Sequence, residues 1–163
     1  MRVYLPATIT MLRELETAGQ FHALSGTGFA LTPALRESYA SGSDEELEYA
    51  ALLDAARASL RLIASDEKVE PRRVVVSADI EHVKLRADLD DAVVRITGPV
   101  LMADVAAVHV DSAEAEEAVK AAAAVIDAAD LGDADAEFTL GDAEDHELAW
   151  YAPQELPFLL ELL

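Results

Sequence analysis

Three short runs of β-branched and apolar residues constrain the fold of this chain more than any other feature. They cover residues 74–76, 92–97 and 105–110. Polar turns separate them, at residues 88–91 and at Gly98-Pro99. Runs of this composition, bounded by turn residues, are typical of β-strands. They therefore predict neighbouring strands of one sheet.

The segment from Ser43 to about residue 64 carries the clearest helical pattern. Ser43 and Glu46 have the spacing of a capping box, in which each side chain satisfies a free backbone N–H of the other residue. Apolar side chains then recur every three or four residues, which predicts one stripe packed on a core and a charged face opposite. The stripe consists of Tyr49, Leu52, Leu53, Ala56, Leu60 and Ile63, and the opposite face carries Asp54, Arg57 and Arg61.

Shorter elements are predicted near both ends of the chain. Residues 2–5 alternate as in a strand, and Thr8 can cap a helix that ends at Gly19. Thr32 followed by proline has the pattern of a second helix start. Residues 148–152 are predicted to form the last strand.

The segment between the third apolar run and the last strand is rich in acid. Asp111 and Glu114 have the spacing of a second capping box and predict a helix to about residue 130. Residues 131–146 are broken by two glycines and predict an acidic loop. Phe138 and Leu140 are its expected apolar anchors.

The order of these elements predicts an α+β fold. Residues 1–163 are expected to form a single domain, because the length is ordinary for one domain and 52% of the residues are hydrophobic. We expect a mixed or mostly antiparallel sheet of four to five strands with the helices packed on one face. A ferredoxin-like arrangement with extra helices is one solution.

The net charge of −20 is unevenly distributed. The last 63 residues contain sixteen Asp and Glu and a single base, Lys120. Net charge bears on solubility and association rather than on fold, and a GC-rich codon bias would produce a similar composition. Direct nucleic-acid binding is not expected, because it needs a positive surface.

Other classes of protein are excluded by composition. No stretch approaches the ~18 apolar residues of a membrane span, so no membrane association is expected. The absence of cysteine excludes disulfides, thiolate metal sites and thiol catalysis. A cytoplasmic location and no cofactor are therefore predicted.

Seven acidic residues have no explanation in a predicted helix start. They define a predicted interaction surface: Asp133, Asp135, Glu137, Asp142, Glu144, Asp145 and Glu147. The leading hypothesis is a non-enzymatic interaction or regulatory domain that presents this surface to a basic protein partner. The spacing from Asp133 to Glu144 also matches a calcium loop, but Phe138 replaces the glycine such loops need, which favours an ordinary acidic loop.

The competing hypothesis is a small metal-binding protein or a metal-dependent enzyme that uses carboxylates with His109 or His146. His109 and Asp111 share one face of a predicted strand, and Asp145 with His146 precedes the last strand. If these strand ends adjoin, the four side chains could form a divalent-metal or acid–base site. No catalytic residue is assigned.

The C-terminal segment is apolar on all sides of its predicted helix. This helix is expected either to be buried against the sheet or to contact a partner, which could be a second copy of the chain in a homo-oligomer. Its candidate interface residues are Leu156, Phe158, Leu159 and Leu162.

Five stretches resemble a family of short, acidic, uncharacterised actinobacterial proteins of unknown function. They are MRVYLPAT (1–8), LSGTGFALTPALRE (24–37), ELEYAALLDAARASL (46–60), DDAVVRITGPV (90–100) and GDAEDHELAWYAPQELPFLLELL (141–163). The resemblance implies a cytoplasmic single-domain protein and transfers no catalytic residue.

Overall fold

The computed structural model describes residues 1–163 as an α+β domain of nine strands and six α-helices. The strands are β1 Arg2–Ala7, β2 Gln20–Phe21, β3 Thr27–Phe29, β4 Val74–Asp79, β5 Val83–Leu85, β6 Val93–Ile96, β7 Val100–Leu101, β8 Val105–Val110 and β9 Ala149–Tyr151. The helices are α1 Ile9–Ala18, α2 Pro33–Ser38, α3 Asp44–Ser65, α4 Glu116–Asp130, α5 Ala134–Glu144 and α6 Leu156–Glu161.

Seven of the strands form one sheet in the order β5-β6-β3-β1-β4-β8-β9, and β2 pairs with β7 in a separate ribbon. Every pairing is antiparallel. The α+β class is confirmed, but the predicted count of four to five strands is wrong. The sequence pattern missed β5, because its three residues are too few to show an alternation.

The ferredoxin-like arrangement is not present. That fold contains two split β-α-β units, in which a helix joins two strands separated by a third. Here α2 and α3 connect β3 to β4 around β1, but β1 and β3 pair directly across α1, and β8 and β9 pair directly across α4 and α5. The helix pair α4–α5 returns the chain to the edge it left, so β9 lies beside β8.

Helices cover both faces of the sheet, contrary to the prediction of one covered face. Val3 and Leu5 of β1 belong to the core that contains the apolar residues of α1 and α6. Tyr4 and Val75 belong to the opposite core, which contains the apolar residues of α3. Burial from both sides explains why β4 begins with three consecutive valines instead of an alternating pattern.

The predicted capping residues of three helices are confirmed. The hydroxyl of Thr8 accepts from the backbone N–H of Met11, and Gly19 ends α1 with φ of 74°. The hydroxyl of Ser43 accepts from the backbone N–H of Glu46 at the start of α3, and Thr32 caps α2.

The predicted stripe of α3 is confirmed at four of its six residues, the buried Leu52, Ala56, Leu60 and Ile63. Tyr49 and Leu53 are 50% and 45% exposed. The helix also buries small residues outside the predicted stripe, among them Ala51, Ala55 and Ser59. The buried hydroxyl of Ser59 donates to the carbonyl of Ala7 at 2.7 Å. These small side chains allow α3 to lie close to the sheet, which leaves Tyr49 and Leu53 at its margin.

The predicted acidic loop is largely a helix. Residues Ala134–Glu144 form α5, and Asp133 caps it by accepting from the backbone N–H of Ala136 at 2.9 Å. Leu140 is fully buried against α4, as expected. Phe138 is 78% exposed, so its prediction as an anchor is wrong. No helix of the chain combines the length and apolar character needed to span a membrane.

Candidate functional site

A buried ion pair joins the neighbouring strands β4 and β8 at one end. The Nε and Nη2 atoms of Arg73 donate to the two carboxylate oxygens of Asp111, each at 2.8 Å. The backbone N–H of Arg73 donates to the same carboxylate at 2.8 Å. Arg73 is 3% exposed and Asp111 is 1% exposed. Because it is turned toward Arg73, Asp111 does not cap the following helix, and that prediction is wrong.

Arg73 also positions α5 against the sheet. Its Nη2 atom donates to the backbone carbonyls of Ala143 at 2.9 Å and His146 at 2.8 Å. These carbonyls lie at the end of α5, where helix oxygens lack intrahelical partners. The ion pair therefore fixes the end of α5 to the start of β4.

His109 lies on the sheet face that α3 packs on. Its cross-strand partners are Val75 on β4 and Trp150 on β9. The Nε2 atom of His109 is 2.7 Å from the hydroxyl oxygen of Ser77, which is buried. Ser77 adjoins an irregularity in the β4–β8 register, a feature often found next to binding sites.

The imidazole of His109 is held neutral. Burial, and to a smaller extent the nearby charge of Arg2, lowers its pKa from 6.5 to about 4. Near pH 7 the ring therefore takes part in the Ser77 hydrogen bond as a neutral group. The ring therefore supplies no acid near neutral pH.

A cavity of about 320 Å³ brings His109 and His146 together. Arg73, Glu144 and Glu147 also line it, whereas Asp111 and Asp145 do not. No group of three or more His, Asp or Glu side chains is placed to hold a metal ion. Of the four candidate metal ligands, two thus share a cavity, and Asp111 is engaged by Arg73.

The seven residues of the predicted interaction surface occupy different settings. Asp133 caps α5, and Glu137 pairs with Arg57 at 2.8 Å. Glu144 and Glu147 lie at the cavity with the two histidines. The remaining three, Asp135, Asp142 and Asp145, are exposed and have no basic side chain within ion-pair distance. A helix cannot wrap its carboxylates around one ion, so the calcium-loop interpretation fails.

These three aspartates share one face of α5 with Phe138. The positions 135, 138, 142 and 145 are spaced by three or four residues, which places them in a row along the helix. We call Asp135, Phe138, Asp142 and Asp145 the acidic face. It combines an exposed aromatic ring with unpaired negative charge, whereas the sequence pattern predicted that this ring would be buried.

An ion-pair network fixes α5 and α4 to α3 beside this face. Arg57 reaches Asp130 at 3.1 Å as well as Glu137, and Arg61 reaches Asp130 at 2.7 Å. The hydrogen bonds from Arg61 and Arg57 hold the pKa of Asp130 below its ordinary value. The hydrogen bond from Arg57 does the same for the pKa of Glu137. Both predicted bases on the outer face of α3 thus have acidic partners.

The four C-terminal candidates divide into two pairs. Leu156 and Leu159 are buried in the core with α1. Phe158 and Leu162 are exposed. The chain's own core therefore takes up half of the apolar helix, and only the other half is accessible to a partner.

Comparison with known proteins confirms that the chain resembles a family of unknown function. The model of a family of unknown function, DUF6912, matches residues 1–160. No curated protein and no solved structure matches the chain. The actinobacterial origin and shared acidity of the family stay predictions. Because the match spans nearly the whole sequence, the chain belongs to the DUF6912 family of unknown function.

Proposed function

We propose that this chain is a cytoplasmic interaction or regulatory domain whose acidic face binds a basic protein partner. The observation that carries the proposal is the exposure of Phe138, 78% accessible on a helix whose neighbouring carboxylates lack basic partners. Aromatic residues are common energetic centres of protein interfaces. Phe138 would be the anchor and the aspartates the charged rim.

The charge distribution supports a basic partner. Asp135 and Asp142 lie three and four residues from Phe138, within about one turn on either side. Unpaired carboxylates of this kind raise the rate of encounter with a positive surface and disfavour acidic partners. Glu137 contributes less, because Arg57 already neutralises it.

The rigidity of α5 also supports the proposal. Ala136, Leu140 and Ala143 are buried on its inner side. Arg73 fixes its end through two backbone carbonyls, and Arg57 fixes its first turn through Glu137. A face held in place from both ends loses little conformational entropy on binding.

The test is affinity capture from the native cytoplasm at low salt with two variants of the acidic face. We expect wild type to recover a basic protein that is released as ionic strength rises. Phe138→Ala and the triple variant Asp135→Asn/Asp142→Asn/Asp145→Asn should each lose it. Both variants change exposed positions, so the fold should persist, as circular dichroism would verify.

A matched control removes the same charge elsewhere. Glu14→Gln/Glu16→Gln/Glu37→Gln neutralises three exposed carboxylates on α1 and α2, outside the acidic face. This variant should recover the partner as wild type does. Equal losses from both triple variants would show a net-charge effect, and the assignment to α5 would then be wrong.

A homo-oligomer is a separate proposal that rests on Phe158 and Leu162. Both are exposed at the C-terminal helix, beside the buried Leu159. Sedimentation equilibrium of wild type and Phe158→Ser tests it. A dimer that dissociates in the variant would support it, and a monomeric wild type would end it.

A further inference from the structure

A second cavity opens beside His109, separate from the acidic face. The helix α3 packs on β1, β3 and β4 and leaves the sheet over β8 and β9 less covered. A groove of about 220 Å³ lies at this margin, between the start of α3 and the sheet. It meets the 320 Å³ cavity at Tyr49, Leu52 and His109.

Aromatic rings and carboxylates line this groove together. Tyr4, Tyr49 and Trp150 supply the rings, and Glu45 and Glu48 supply the carboxylates. Tyr49 and Trp150 are largely exposed, although large aromatic side chains are normally covered. These two exposed rings and the two carboxylates therefore line the same groove.

The carboxylate of Glu48 is held in place by the sheet. The Tyr4 hydroxyl donates to its Oε2 atom at 2.9 Å. Burial first, and then this hydrogen bond, raises the pKa of Tyr4, so the phenol remains a donor across the physiological range. Glu48 is half-buried and has no basic partner within ion-pair distance.

The remaining polar groups of the groove do not oppose a cation strongly. Arg2 is the one arginine or lysine among its lining residues, and Asp79 pairs with it through hydrogen bonds of 2.8 and 3.3 Å. His109 carries no charge near pH 7, because burial lowers its pKa. Glu45 and Glu48 therefore leave the groove with unpaired negative charge.

We propose that this groove binds a small organic ammonium ion, with its charge against Glu48 and Glu45 and its carbon substituents against Tyr49 and Trp150. Aromatic faces attract cations through the ring quadrupole, and alkylated ammonium ions are the ligands for which such sites are best known. The volume is below the ~300–1,000 Å³ of pockets for drug-sized ligands, which suits a small cation. The inference does not depend on the acidic face.

The single tryptophan makes the proposal directly measurable. Trp150 is the only one in the chain and lies in the groove, so its fluorescence reports occupancy. Choline, a small quaternary ammonium ion, should change this fluorescence saturably. The uncharged analogue 3,3-dimethylbutan-1-ol, which has the same shape, should not. Glu48→Gln and Tyr49→Leu should each weaken choline binding by about 2- to 30-fold.

Two control variants show whether choline binds in this groove and not elsewhere on the chain. Phe158→Ala removes an exposed aromatic ring outside the groove and should bind choline as wild type does. Trp150→Leu, followed by calorimetry, should lose affinity. The proposal is overturned if choline gives no saturable response, if the neutral analogue binds equally well, or if inorganic phosphate binds instead through Arg2. It is also overturned if Glu48→Gln, Tyr49→Leu and Trp150→Leu all bind choline as wild type does.

Discussion

The buried Arg73–Asp111 pair and the acidic face of α5 place aspartate side chains in opposite environments. The Asp111 carboxylate accepts three hydrogen bonds and is 1% exposed. The aspartates of the acidic face are exposed and unpaired. A charged side chain can be buried only when an opposite charge and hydrogen bonds compensate it, because the desolvation cost is several kcal/mol per ion. The first carboxylate therefore maintains the fold, and the others remain available for binding.

The largest expected effect comes from breaking the buried pair. Asp111→Asn removes the charge that compensates Arg73 and should lower the free energy of unfolding by about 3–5 kcal/mol. Urea denaturation measures it, with the exposed Asp104→Asn as control. An exposed ion pair stabilises a fold by at most about 1 kcal/mol. A loss below that value would mean that the buried Asp111 contributes no more to stability than an exposed carboxylate.

The double variant Arg73→Met/Asp111→Leu sharpens this result. Replacing both ions by apolar residues is often neutral. Here the carbonyls of Ala143 and His146 would also lose their hydrogen bonds from Arg73. We expect stability between that of wild type and that of Asp111→Asn, as urea denaturation of the double variant would show.

His109 is an intermediate case, half-buried and uncharged, and predicts a pH dependence. Its folded pKa of about 4 lies below the ordinary 6.5, so the unfolded chain binds a proton that the folded chain does not. The contribution to stability is complete above pH 6.5 and is lost as pH falls toward 4, by about 2–3 kcal/mol. Urea denaturation at a series of pH values gives the free energy of unfolding as a function of pH. The slope of this free energy against pH should be shallower for His109→Gln than for wild type. Equal slopes would mean that His109 titrates normally.

The half-exposed ion pairs of Asp130 should contribute less than the buried pair. Asp130→Asn weakens contacts with both Arg57 and Arg61 and should lower the free energy of unfolding by about 0.5–1 kcal/mol. The loss should shrink at high salt. Asp127→Asn, an exposed position one turn earlier on α4, is the control for thermal and urea denaturation.

The smallest expected effect, with opposite sign, belongs to the acidic face. Asp142 and Asp145 lie at the C-terminal end of α5, where the helix dipole disfavours negative charge. Asp142→Asn/Asp145→Asn should therefore raise the free energy of unfolding by a few tenths of a kcal/mol at low salt. A loss above about 1 kcal/mol in denaturation experiments would show that these residues maintain the fold.

Local signals account for the parts of the fold that were predicted well. Thr8, Gly19 and Ser43 act within one turn of chain, so their capping roles could be read directly from the sequence. Strands β4 and β8 were also located by their valine-rich composition. The short strand β5 left no comparable pattern, because three residues do not establish a period.

The candidate sites were predicted only in part, because they depend on residues distant in sequence. His109 and His146 do line one cavity, as the strand-end argument required. Nothing in the sequence indicated Tyr4 and Trp150 as lining residues of a groove, since each looks like an ordinary strand residue. Their proximity follows from the order of strands in the sheet.

The sequence alone predicted the α+β class, the capping residues of α1, α2 and α3, and the acidity of the last 63 residues. Those properties depend on residue type and on spacing within a turn or a strand. The burial of Asp111 against an arginine 38 residues away, and the exposure of Phe138 beside unpaired aspartates, became visible only in the folded chain. The cost of an isolated buried charge depends on which partner reaches it, and that is decided by how the sheet and helices pack.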